Sequence, residues 1–76
     1  MRTKDCKSGV VIPYLRAWRL WLGISQREVA YLARMTHHTV ELIERGERVR
    51  QGALAKLERG LGISEYELLH TPPEED

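Results

Sequence analysis

The chain of 76 residues has no phenylalanine, one cysteine and three prolines. Each shortage excludes something. Without Phe, and with aromatics only 7% of the chain, a core has to come from aliphatic side chains with a little help from Tyr and Trp. A single cysteine, Cys6, excludes an internal disulfide and any cysteine-rich metal site, which suits a reducing compartment. No apolar run approaches the roughly 20 residues that cross a bilayer, and the basic start MRTKDCKSG is not followed by an apolar stretch long enough for a secretory signal. There is no serine or cysteine nucleophile constellation, no glycine-rich phosphate loop and no carboxylate pair in a plausible cleft. No enzyme activity, metal or cofactor is therefore expected. Strand-like alternation, internal repeats and low-complexity segments are missing too. The length allows one small domain.

Net charge is also small, only +1, but it is unevenly spread. Residues 1–52 hold ten Lys or Arg against five Asp or Glu, whereas residues 53–76 hold two against six. A basic front and an acidic back would orient the molecule on a polyanion.

What is present is helical punctuation. The stretch Ser25–Gly46 reads as two short helices joined by a tight turn. Ser25 and Glu28 form a capping box, in which hydroxyl and carboxylate each take one of the other's free amides. Eleven residues on, Thr36 can cap a helix starting at His37, with Val40 and Ile43 spaced to face inward. Gly46 supplies the stop, because glycine enters the left-handed region at little steric cost. Helix, short turn, capped helix and glycine make the helix-turn-helix layout, whose second helix can enter a DNA major groove.

Around this stretch the spacing predicts three more helices. Pro13 opens the first, which runs to Leu22 with Leu15, Trp18 and Leu22 on one stripe and Gly23 as its end. The two helices of the central stretch cover about 26–33 and 37–45. A fourth is expected over about 52–60, turning Leu54, Leu57 and Leu61 inward. Ser64 and Glu67 suggest a second capping box that opens a fifth short helix with Leu68 and Leu69, stopped by Pro72-Pro73. The expected organisation is a flexible basic arm over 1–12, whose Val10–Ile12 can pack at its end, a domain over 13–71 and an acidic tail over 72–76. The fold class is all-α: five helices around one core.

These residues resemble the Cro/C1-type family of phage-repressor-like helix-turn-helix domains, also called XRE-type. The resemblance runs from about Leu15 to Leu69 and rests on the order and spacing of Arg19, Gly23, Ser25-Gln26, Glu28, Val29-Ala30, Thr36, Thr39-Val40, Ile43-Glu44 and Gly46, followed by Leu61-Gly62-Ile63-Ser64 and Leu68-Leu69. It implies a five-helix DNA-binding domain, commonly dimeric, that regulates transcription, as a repressor in the first instance, from an operator with two half-sites. By the same resemblance Arg19 and Glu44 pair between the first and third helices, and Gln26 touches the DNA backbone and braces the recognition helix.

Base contacts are expected from His37, His38, Glu41 and Leu42, and phosphate contacts from Ser25, Gln26, Thr36, Thr39, Arg45, Arg48 and Arg50. Imidazoles can donate to or accept from a base edge. Glu41 could accept from cytosine N4 and Leu42 could meet a thymine methyl, although Leu42 would equally suit a protein-binding face. Arg45, Arg48 and Arg50 would each add a sequence-blind, salt-sensitive term. Arg2, Lys4 and Lys7 in the arm could add to it.

Several positions depart from the family's pattern. Arg34 stands in the turn where glycine is frequent, the segment before the fourth helix lacks a proline and is one residue shorter, and Glu58 replaces a small apolar residue. Leu20, Trp21, Tyr31 and Leu32 are apolar where relatives are polar. They suggest a protein-partner patch, unless Val10–Ile12 folds over them. A different functional class thus stays open beside the DNA-binding regulator: a protein-interaction module on the same fold, such as an antitoxin-like or anti-repressor partner. The expected location is the cytoplasm of a bacterium, or of a host cell if phage-encoded.

Overall fold

The computed structural model describes residues 9–73. Within them lie five helices: α1 (Leu15–Leu22), α2 (Gln26–Ala33), α3 (His37–Glu44), α4 (Gln51–Leu61) and α5 (Glu65–His70). The caps set the central boundaries as the residue types require. Ser25 Oγ accepts from the Glu28 amide at 3.1 Å, and Glu28 Oε1 accepts from the Ser25 amide at 3.1 Å. Thr36 Oγ1 accepts from the Thr39 amide at 3.1 Å. The box expected at Ser64 is only half made: its hydroxyl accepts from the Glu67 amide, while no return bond from the Glu67 side chain forms.

α1 begins later than Pro13. Pro13 and Tyr14 form a turn, and the Tyr14 amide donates to the Leu68 carbonyl of α5 at 3.3 Å instead of entering helical register. At the far end of α5, Trp18 Nε1 donates to the Thr71 carbonyl at 2.9 Å. The indole therefore acts as a strap as well as an apolar side chain. Leu22, expected on the inward stripe, is exposed. The inner face of that last turn is occupied by Arg19, whose guanidinium reaches α3.

The core consists of Ile12, Leu15, Val29, Ala30, Ala33, Val40, Ile43, Leu54, Leu57, Ile63 and Leu68. Ala30 and Ala33 keep the inner face of α2 low, so α4 approaches closely. At the tightest point a Cβ built on Gly60 would lie 2.5 Å from the Leu32 carbonyl oxygen. This is where the small residue of α4 is needed; Glu58 faces solvent.

The expected arm is packed from Val10 onward. Val10 and Val49 exchange two backbone hydrogen bonds of 2.8 and 2.9 Å in a one-pair antiparallel bridge, and Ile12 is wholly buried. Residues 1–8 and 74–76, the remainder of the arm and the acidic end of the tail, lie outside the described residues. Val10 is spent on Val49 and Ile12 on the core, Val11 is itself exposed, and Leu20, Trp21, Tyr31 and Leu32 are all left exposed.

The turn between α2 and α3 carries one cost. Arg34 caps α2 at φ 56°, and it is the one non-glycine residue with positive φ among those described. Arg34→Gly is expected to stabilise the free domain by about 0.5 kcal/mol, the left-handed penalty relieved less the extra chain entropy of glycine. Urea melts without DNA check this; a loss of stability would show that the Arg34 side chain contributes more than its backbone costs.

Candidate nucleic-acid interface

α3 is held against α1 and α2 by a chain of polar contacts that starts in the half-buried interior. Arg19 Nε donates to Glu44 Oε2 at 2.7 Å and Arg19 Nη2 donates to Glu44 Oε1 at 3.1 Å, a two-pronged pair. Arg19 Nη1 donates to the Ile24 carbonyl, so one guanidinium ties together α1, the start of the next turn and α3. Glu44 Oε1 also accepts from Gln26 Nε2 at 2.9 Å, and Gln26 Oε1 lies 3.1 Å from His37 Nε2. The chain Arg19–Glu44–Gln26–His37 thus runs from the bundle interior to the first residue of α3.

The outward surface of α3 divides into a ridge and two flanks. His37 and His38 stand on the ridge with Glu41 between them, its carboxylate oxygens 3.9 Å from a ring nitrogen of each. On one flank an open groove is lined by Thr39 and Leu42 of α3 together with Arg34, Arg48, Arg50 and Lys56. On the other a shallower groove is lined by Arg16, Gln26, Glu41, Glu44 and Arg45. Cationic side chains therefore border α3 on both sides, four on the first flank and two on the second.

The residues singled out from the sequence fall unevenly on this surface. His37, His38 and Glu41 share the ridge. Leu42, expected beside them, is half-buried in the wall of the first groove. Arg48 and Arg50 line that groove, but Arg45 is on the opposite flank, with Nη1 4.0 Å from Glu47. Arg48 is partly engaged, its Nη1 donating to the Gly9 carbonyl at 3.2 Å. Thr36 and Thr39 share a hydroxyl–hydroxyl contact of 2.9 Å beside the cap. Both ends of the Gln26 amide are held within the protein, leaving one amide hydrogen free. Ser25 has its oxygen and amide committed to the capping box and keeps its hydroxyl hydrogen.

Three cations escaped the sequence reading. Arg34 drew notice only for its backbone, and Arg16 and Lys56 not at all. Lys56 was legible in principle. It follows Gly52 and Ala53 on one face of α4, and those small residues leave that face open.

A profile of the helix-turn-helix domain matches residues 14–70, from the turn that opens α1 to the end of α5. The chain belongs to the helix-turn-helix domain family. No curated protein and no solved structure matches it. The matched span takes in all five helices, in keeping with the Cro/C1-type resemblance, and α2 and α3 are the helix-turn-helix pair. A helix-turn-helix domain is a DNA-binding unit, and the second helix of the pair is the one that docks. No helix among the described residues is long and apolar enough to cross a membrane.

Proposed function

We propose that this helix-turn-helix protein is a sequence-specific regulator of transcription, acting as a dimeric repressor that places α3 in the major groove of double-stranded DNA. The observation that carries the reading is the ridge of His37, His38 and Glu41 bordered on both sides by cations. A helix in the major groove has a phosphate backbone along each side, and phosphates position the protein while base edges are read from the ridge. His37, His38 and Glu41 are the base-reading groups. Leu42 takes a thymine methyl at the groove wall. Arg34, Arg48, Arg50 and Lys56 hold one backbone, with Thr36 and Thr39 beside them. Arg45 and Arg16 hold the other, next to the α2 N-terminus, where Ser25 and Gln26 each keep one hydrogen to donate. Arg2, Lys4 and Lys7 add sequence-blind charge to this grip. The protein works in the cytoplasm, on the nucleoid when bound.

Selection from a random DNA pool tests this. The expected product is a two-fold-related site with half-sites about 34 Å apart, roughly one helical turn. Affinity should fall steeply with salt, and each of Arg48→Gln, Arg50→Gln and Lys56→Gln should reduce the slope of log affinity against log salt by about 0.9. Slopes unchanged in all three variants would remove the first flank from the interface.

One observation favours a second reading. Trp21 is 58% exposed and Leu20 56%, and they line a groove with Ala17, Pro72 and Pro73. Tyr31 and Leu32 line another, with Met35 and Arg34. Large apolar groups left in water suit a protein partner, as an antitoxin-like or anti-repressor module requires. Trp21→Lys that alters neither oligomeric state nor any protein binding would dismiss this surface, and a selected pool with no motif would favour the partner reading over DNA.

A further inference from the structure

His37 is connected to the interior in a way that settles which of its nitrogens can face a ligand. Glu44 is paired with Arg19, so its carboxylate is ionised and only accepts hydrogen bonds. The Gln26 atom 2.9 Å from Glu44 Oε1 must then be the amide nitrogen, which turns the amide oxygen toward His37. That oxygen also only accepts. His37 Nε2, 3.1 Å away, therefore has to be the donor. With its proton held on Nε2, a neutral His37 ring carries a bare acceptor at Nδ1. Among the described residues Nδ1 has no hydrogen-bond partner and no buried side-chain nitrogen or oxygen lacks one, so Nδ1 reaches solvent. The ring as a whole is 40% exposed at the start of α3.

We infer that Glu44, acting through Gln26, sets His37 to read DNA with Nδ1, as an acceptor while the ring is neutral and as a donor once it is protonated. The inference rests on the DNA-binding reading above and adds the polarity of one base contact. His37 is the reading residue; Gln26 and Glu44 are positioning residues. A neutral Nδ1 selects a base that presents an amine, cytosine N4 or adenine N6. A protonated one donates to guanine N7 or O6, adenine N7 or thymine O4, so the base it ceases to favour is cytosine, which presents only a donor. Protonation leaves the Nε2 bond to Gln26 in place, so the ring need not move when its preference changes. The charged and titratable groups around the ring are Glu41 and His38 on α3, Glu44 and Arg19 behind Gln26, and Arg16 and Arg45 across the second groove.

Two measurements test this. In the free protein, nitrogen-15 spectra at neutral pH should show His37 with its proton on Nε2, visible through slowed exchange with water, and Gln26→Ala should abolish that protection. A proton on Nδ1, or protection unchanged in Gln26→Ala, overturns the inference. In DNA selections at pH about 8 and about 5, the preference at one position in each half-site should move from cytosine toward guanine at the lower pH, by fivefold or more, roughly 1 kcal/mol. His38→Gln should keep the change and His37→Gln should lose it. An unchanged cytosine-to-guanine preference at the two pH values, or loss of the change in His38→Gln, overturns the inference. A pool that enriches nothing while the Nε2 proton is held as expected counts against the DNA-binding reading and not against the relay.

Discussion

Glu44→Ala is expected to lower the stability of the free domain by about 3 kcal/mol, and the double change with Arg19→Met by clearly less. The side chains of Arg19 and Glu44 are only 12% and 7% exposed. Removing the carboxylate alone leaves a guanidinium with little access to water, one remaining carbonyl partner at Ile24, and a Gln26 amide that has lost its acceptor. Breaking a buried pair from one side is costly for that reason, whereas replacing the charge as well by an apolar chain of similar length removes the unpaired group. A domain of this size has roughly 4–11 kcal/mol in total, so the single change should lower the melting temperature by more than about 10 °C. Thermal and urea melts of the two single variants and the double give the coupling directly. Single and double variants that melt together near the wild type would show that the pair does not hold α3.

The second large effect comes from a substitution usually thought mild. Gly60→Ala places a Cβ 2.5 Å from the Leu32 carbonyl oxygen, 2.7 Å from its carbonyl carbon and 2.9 Å from the Ala33 Cα. All three are backbone atoms at the end of α2, so no side chain can swing away and the two helices must separate. Alanine gains at most about 1 kcal/mol over glycine, less at the penultimate residue of α4 than in a helix interior, but overpacking at a closed contact costs about 3, for a net loss of about 2 kcal/mol or more. Gly52→Ala in the same helix has nothing within 4 Å of its new Cβ and should instead stabilise by up to about 1 kcal/mol. Opposite signs for one substitution at two sites of one helix separate packing from propensity. Equal effects at both would mean that α2 and α4 are not in close contact at Gly60.

The places where structure and sequence part are few and physically coherent. Ser25, Glu28, Thr36 and Gly46 act within three or four residues of themselves, so the limits of α2 and α3 could be read locally. Leu22, the late start of α1 and the half-made box at Ser64 could not. The first two depend on a group elsewhere in the chain, Arg19 turned toward Glu44 and the Leu68 carbonyl taking the Tyr14 amide; at Ser64 the Glu67 side chain makes no return bond, and nothing in the structure explains it. The arm shows the same limit, because the bridge between Val10 and Val49 joins segments whose association no local pattern records. At the candidate interface, Arg48 and Arg50 were legible as charge close to α3. Arg16 and Lys56 became part of the site through the way α1 and α4 lie against it, and Arg34 through the turn that joins α2 to α3.

The order of caps, apolar spacings and glycines was thus enough to determine a five-helix bundle with a helix-turn-helix at its centre, because those signals are short-range and each helix carries its own. Tertiary structure alone decided which side chains face out together. It put Arg45 across α3 from Arg48 and Arg50, moved Leu42 from the ridge into the groove wall, and linked Glu44 to His37 through Gln26. Side-chain direction on a two-turn helix changes by about 100° per residue. Whether a given direction meets solvent, a cation or a carboxylate depends on how the neighbouring helices are packed.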